Sequence, residues 1–272
     1  MDLNVIKERL ASLNTQQPQS GGGQKKNLFW KPSIGKQTVR IVPSKFRPEF
    51  PFTEMMFYYG IGQRVIASPA NWKQKDPIME FAKQLRQSND RENWRLVKKL
   101  DPKTRIFAPV LVRGQEDEGV KLWQFGKEIY QTFLNMAADE EIGDYTDMLD
   151  GRDIKLTTVG PEVTGTPYNK TTATVSLKVS PIAEDKDEIQ KYLNEQADPF
   201  KVFKQYSFDE IKGFLQSWLD PDSETETKVD VSKSPVPSPT ESNYSLNTDA
   251  TKKTKADKFN DLFSDSTDDL PF

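Results

Sequence analysis

The sequence predicts an α+β protein, mainly β with helices, in which one folded core of residues 27–219 stands between a flexible N-terminal arm and a disordered acidic C-terminal tail. Three observations predict it. Runs rich in β-branched and aromatic residues alternate with turn residues through the middle of the chain. Four segments of that stretch instead repeat their apolar residues at helical spacing, and apolar residues thin out at both ends. The 272 residues suit one large domain with appendages. Counting Gly and leaving out Tyr, the apolar share is about 37%, below the ~45–50% of an average globular domain, so part of the chain is expected not to fold.

Leu3, Ile6, Leu10 and Leu13 recur at helical spacing, so residues 1–14 predict a short amphipathic helix that is marginal by itself. Residues 15–26 (TQQPQSGGGQKK) form a polar, Gly-rich tether that lets this helix act away from the body, either as a frayed terminus or as a partner-binding arm. In the core, residues 38–43, 52–61, 94–100, 105–112, 153–159 and 172–179 read as strands. Residues 77–87, 126–138, 186–196 and 207–219 read as helices. The last carries Ser207 and Glu210 as a capping box, with Phe208, Ile211, Leu215, Trp218 and Leu219 on one face. Residues 221–272 hold 5 Pro and 15 Ser and Thr, and their large apolar groups near the end are Phe259, Leu262, Phe263, Leu270 and Phe272. That is too little apolar surface to offset chain entropy, and the segment from 220 onward reads as a disordered tail.

Composition excludes much chemistry. With no Cys and no His there are no disulfides, thiol nucleophiles, Ser-His-Asp triads or ordinary zinc sites. No cofactor is implied. No N-terminal stretch joins a basic region to an apolar one, and no run approaches the ~18 apolar residues of a membrane span, so a soluble intracellular protein with no membrane partner is expected. The net charge of −3 hides an uneven distribution. Residues 1–113 carry 21 Lys and Arg against 9 Asp and Glu, residues 114–219 carry 11 against 20, and residues 220–272 carry 6 against 12. A polyanion-binding part followed by an acidic tail is the direct reading.

The basic part is also aromatic. Between Phe29 and Phe133 lie 16 of the 29 aromatic residues, often beside cations: Phe46 with Arg47, Trp94 with Arg95, Arg105 near Phe107. Single-stranded nucleic acid asks for this combination, because bases stack on aromatic faces while cations track the phosphates. Strand aromatics are also ordinary core residues, and alternation argues against that only where cations and aromatics cannot all point inward, as in residues 94–99 and 105–107.

Residues 39–45 (VRIVPSK), 96–99 (LVKK), 108–112 (APVLV) and 118–130 (EGVKLWQFGKEIY) follow one another in an order and spacing that resemble the single-stranded DNA-binding proteins of T-even-like bacteriophages. The resemblance covers about residues 27–219, and the short arm and acidic tail fit the same layout. It implies an OB-fold core with an adjoining small subdomain, a cleft that binds DNA without sequence preference, and cooperative self-association through the arm, where Leu3, Ile6, Lys7, Arg9 and Leu10 would make the contacts. By local alignment Trp94 and Trp123 stand at cleft aromatic positions, Arg40 and Lys45 on cationic positions of the first strand motif, and Lys98 and Lys99 on a basic pair. With Arg47, Arg105, Arg113 and Lys127 as further phosphate contacts, and Phe107 and Trp72 as further stacking rings, these residues make up the expected DNA site. The same resemblance places the protein in the cytoplasm of an infected bacterial host, acting in replication, recombination and repair. The best-studied members of that family bind zinc through His and Cys between the second strand and a following helix. Here Asp76-Pro77-Ile78-Met79 occupies that stretch, so packing of Pro77, Ile78, Phe81 and Leu85 is expected to hold the subdomain together.

Two more features bear on function. The ending Asp268-Asp269-Leu270-Pro271-Phe272 resembles the tail tip of bacterial single-stranded DNA-binding proteins, which docks replication and repair enzymes, and it suits a basic pocket with an apolar floor. The series Asp139, Glu140, Glu141, Asp144, Asp147, Asp150 and Asp153 reads as a solvated helix end and loop, with Mg²⁺ binding in a nuclease as its rival. The expected function is therefore non-enzymatic single-stranded DNA binding; a Mg²⁺-dependent nuclease and an RNA-binding regulator are the alternatives.

Overall fold

The computed structural model describes residues 28–62, 64–88, 90–220, 259, 262 and 263. Eight strands form one mixed sheet: β1 (Phe29–Trp30), β2 (Gly35–Ile41), β3 (Thr53–Ile61), β4 (Arg64–Ala67), β5 (Lys103–Val112), β6 (Lys121–Phe125), β7 (Arg152–Val159) and β8 (Lys170–Val179). Within residues 28–220 seven α-helices accompany them: α1 (Pro77–Gln87), α2 (Arg91–Leu100), α3 (Lys127–Ala137), α4 (Pro161–Thr164), α5 (Lys186–Asn194), α6 (Pro199–Val202) and α7 (Phe208–Leu219). The α+β class expected from the sequence is what the structure shows.

The strand order is β1-β6-β5-β2-β7-β8, with the β3-β4 hairpin joined to β5. The long strand β5 organises the sheet because its successive parts pair with β3, β6 and β2, all antiparallel. Its inward face, Ile106, Ala108, Val110 and Val112, packs with Val39, Ile41, Trp123, Phe133, Tyr145, Ile154 and Leu156 into the main core beneath α3.

A second core belongs to a helical lobe, where α1, α2 and α7 cover the β3-β4 hairpin. Ile78, Phe81, Ala82 and Leu85 of α1 meet Leu96, Val97 and Leu100 of α2 and Ile211 and Leu215 of α7. The lobe is pinned by Asp76, 4% exposed, which caps α1. Its Oδ1 accepts the backbone N–H groups of Ile78 (3.0 Å) and Met79 (3.2 Å), and its Oδ2 accepts the Tyr58 hydroxyl (2.8 Å) and the Ser68 hydroxyl. Burial, with Asp76 alongside, drives the Tyr58 phenol well above its ordinary range, so it stays a donor. The zinc of the resembling family does not fit here. The chain has no Cys or His, and the one carboxylate in the right stretch has both oxygens engaged by protein donors.

Two expectations are corrected. Residues 94–100 are not a strand: Asn93, Leu96, Val97 and Leu100 are the buried positions, the i, i+3, i+4, i+7 pattern of helix α2, capped at Asp90. Strands β1, β4 and β6 and the four-residue helices α4 and α6 add to the expected elements, each five residues or fewer and so too short to show a period of its own. The tail is not structureless throughout, because Phe259, Leu262 and Phe263 are helical and packed against the lobe, three apolar groups on one face that borrow a core they could not build alone. The remaining tail residues, among them Asp268, Asp269, Leu270, Pro271 and Phe272, lie outside the described residues, as do Leu3, Ile6, Lys7, Arg9 and Leu10.

Candidate nucleic-acid interface

Strand pairing places Met55 opposite Arg105 and Phe57 opposite Lys103, so Lys103, Arg105 and Phe107 of β5 share the face away from the main core with Met55 and Phe57 of β3. This face carries its own aromatic cluster. Phe107 lies 5.3 Å from Phe203, 5.9 Å from Phe57 and 6.4 Å from Phe29. Phe203 follows α6 and closes over Phe57 at 4.9 Å, while Tyr59, Trp72 and Phe200 pack around the same group half-buried. The outermost ring, Phe29, remains 39% exposed.

Cations rim this floor. The Arg105 Nε donates to the Tyr59 hydroxyl at 3.2 Å, and its guanidinium lies 5.5 Å from the Tyr59 ring, which the Lys103 ammonium approaches at 5.9 Å. Arg47 lies 5.4 Å from the Phe200 ring, and Trp72 stands edge-on to the same ring at 6.4 Å. Beside Phe29 the surface opens into a cleft of about 600 Å³, lined by Trp30, Lys31, Arg105, Gln124, Gly126 and Tyr168 among others. Tyr168, 76% exposed on the turn before β8, is the most accessible ring there. Lys127 is exposed next to Gly126 at the start of α3.

The expected DNA residues therefore separate into four groups. Arg47, Trp72, Arg105 and Lys127 are gathered at the aromatic cluster or the mouth of the cleft. Trp94, 51% exposed, stands with Lys98 and Lys99 and with Arg91 and Arg95 on the outer face of α2, one basic helical surface. Lys45 is exposed, its ammonium donating to the Asn194 carbonyl at 3.3 Å. The fourth group is turned into the protein. Trp123 is 1% exposed, wedged between Phe125 (4.8 Å), Phe133 (5.8 Å) and Trp30 (5.5 Å), and Phe107 is fully covered by Phe29 and Phe203, so neither ring has a face for a base.

Arg40 is fully buried as well. Its Nη2 donates to the carbonyls of Asp147 (2.6 Å) and Ser180 (2.8 Å), and its Nη1 lies 3.5 Å from Asp153. Burial lowers its pKa, and Asp153 opposes that. Arg113 shares Asp153 through Nε and Nη2 and donates from Nη1 to the Ile182 carbonyl at 2.7 Å, which leaves little for a phosphate. Arg40 is thus a strut that ties the acidic loop and the segment after β8 to β2, and Arg113, just after β5, ties that strand's end to β7 and the same segment, a correction to the phosphate roles expected of them. The acidic series is largely occupied by the same architecture. Asp147 Oδ1 accepts the N–H groups of Leu149 and Asp150, which holds its pKa low, Asp144 accepts from Thr146, and Asp139 from Glu141. Among the described residues no group of three or more His, Cys, Asp or Glu is placed to hold a metal ion.

Phe29, Lys31, Tyr59, Lys103 and Tyr168 were not singled out as site residues from the sequence. Tyr168 could have been: it sits in Gly165-Thr166-Pro167-Tyr168-Asn169, where no apolar alternation exists to bury it. Tyr59 and Lys103 needed the β3-β5 register, and Phe29 and Lys31 the parallel pairing of β1 with β6.

A second groove of about 630 Å³, between Lys36, Thr38, Lys155, Thr157 and Thr174 and beside the already engaged Arg113, offers two lysines but has no aromatic lining. Stacking needs a ring, so the Phe29–Tyr168 cleft is the better candidate for unpaired bases. An aromatic floor rimmed by cations on one face of a sheet is the combination that stacking bases and phosphates ask for. The chain belongs to the gp32-like family: the family model described as gp32 DNA binding protein like matches residues 34–219, which include Arg105, Gln124, Gly126 and Tyr168 of the cleft and leave out Phe29, Trp30 and Lys31. No curated protein matches the chain. Among the described residues no helix is long and apolar enough to cross a membrane.

Proposed function

We propose that this protein binds single-stranded DNA cooperatively and without sequence preference, as a non-enzymatic participant in phage replication, recombination and repair. The observation that carries the reading is the cleft in which exposed Phe29 and Tyr168 lie beside Lys31 and Arg105. Bases would stack on Phe29 and Tyr168, with Trp72 and Trp94 as outlying platforms, while Lys31, Arg47, Lys103, Arg105 and Lys127 would hold the phosphates. None of these contacts reads a base edge, which accounts for sequence tolerance. The arm of residues 1–14 would touch the next molecule on the strand, and the tip Asp268-Asp269-Leu270-Pro271-Phe272 would recruit replication and recombination proteins in the cytoplasm of the infected host.

Titration with fluorescent poly-dT, a matched duplex and the matched RNA, with Mg²⁺ present and strand length checked afterwards, tests the reading. Tight, salt-sensitive binding to intact single-stranded DNA with weak duplex and RNA binding is expected. Preference for RNA, or shortened strands, would return the regulator or the nuclease.

A further inference from the structure

Phe259 lies thirty-nine positions beyond the last residue of the continuous fold, yet it is 1% exposed. Its ring stands edge-on to Phe81 of α1 at 5.8 Å and meets Phe263 at 4.8 Å. Phe263 reaches Phe208 of α7 at 5.9 Å, with the Lys212 ammonium 4.8 Å from its ring, and Leu262 packs against the same cluster. Positions 259, 262 and 263 are i, i+3 and i+4, the spacing that puts three side chains on one face of a helix, and all three meet one groove.

We propose that the groove between α1 and α7 is a docking site for the chain's own Phe259, Leu262 and Phe263, which seat and release as a unit. A helix this short is not stable apart from the surface it lies on, so the helical state of these three residues depends on their being seated. The 38 residues 221–258 can close this contact within one molecule, because the entropy of closing a loop grows only logarithmically with its length. Nine residues, 264–272, follow the anchor in the sequence, so seating bears on the role proposed for the tip. That consequence for the tip rests on its proposed role in docking partners, whereas the groove and its occupant do not.

Limited trypsin digestion of the full chain tests the site without DNA or any partner. The bond after Lys258 is expected to be cut at least about tenfold more slowly than the same bond in a free peptide of residues 250–272, because cleavage of a seated segment must wait for local opening. Excess peptide should raise the rate in the unaltered chain, whereas the same peptide with Phe259→Ala and Phe263→Ala should not. The full-length double variant should be cut at the rate of its own peptide, with near-ultraviolet dichroism reporting that the lobe is intact. Equal rates for chain and free peptide, or no response to added peptide, would overturn the proposal. Protection that rises with protein concentration would overturn it in favour of a second copy as the occupant.

Discussion

Burial separates the two kinds of aromatic residue in this chain. Tyr168 is expected to behave as a ligand-facing ring: Tyr168→Ala should weaken binding to poly-dT by about 5- to 150-fold, the equivalent of one lost stack at ~1–3 kcal/mol, with the thermal midpoint unmoved. Trp123→Ala should do the reverse. It opens a cavity between Phe125 and Phe133, costs ~3–5 kcal/mol of stability, and lowers Tm while binding below the transition keeps its salt dependence. Fluorescence titration and a thermal scan on both variants check the pair. Tyr130 supplies a pH signature. Burial first, and then the hydrogen bond it donates to Glu54 at 2.7 Å, push its phenol up to about 12. The folded value lies above the unfolded one of 10, so this contribution is whole below pH 10 and is lost as pH rises toward 12. Ultraviolet titration of wild type against Tyr130→Phe should show one late-ionising phenol missing, and the variant should lose less stability across that window.

At the level of single elements, α2 shows why residues 94–100 misread. Trp-Arg-Leu-Val-Lys-Lys alternates well enough for a strand, and only with Asn93 and Leu100 included does the helical repeat of buried positions emerge. The helix then presents Trp94 and its cations together, where a strand would have divided them between two faces. The start of α1 depends on Asp76. Asp76→Ala strands the Tyr58 and Ser68 hydroxyls and two backbone N–H groups, and a loss of about 3 kcal/mol or more is expected in the denaturant midpoint, while Met79→Leu on the same helix should cost little. Between the acidic loop and β7, Gly151 is required by crowding. A Cβ there would lie 2.3 Å from the Asp147 carbonyl and 2.4 Å from the Arg40 guanidinium, so Gly151→Ala must displace the strut that ties loop to sheet.

Over the whole molecule, charge and length give the remaining expectations. Binding to single-stranded DNA should fall with salt at a log-log slope of about −0.7 for each phosphate neutralised, and charge removal at Arg105 or Lys31 should shallow the slope, whereas Arg40→Met should lower stability and leave the slope alone. Deleting residues 1–14 should reduce cooperativity more than single-site affinity in titrations of long and short strands; an equal loss in both would remove the arm from the mechanism.

The sequence by itself determined the class of the fold, the four long helices it marked, including the capping box at Ser207 and Glu210 that the structure forms, the kinship carried by the ordered motifs of residues 39–130, and the uneven charge. These are local or additive properties, legible one residue after another. Which rings and cations face outward was decided only by tertiary structure. Arg40 and Arg105 are the same residue type on strands of the same sheet, yet one is sealed beneath the acidic loop and the other stands at the rim of the cleft. Phe107 and Phe29 lie in one cluster, and the segment around Phe203, nearly a hundred residues downstream, covers the first and leaves the second exposed. Exposure depends on what the rest of the chain lays over a side chain, and that information resides in the register of β3 on β5 and the path of the chain after α6 rather than in the neighbours of any one residue.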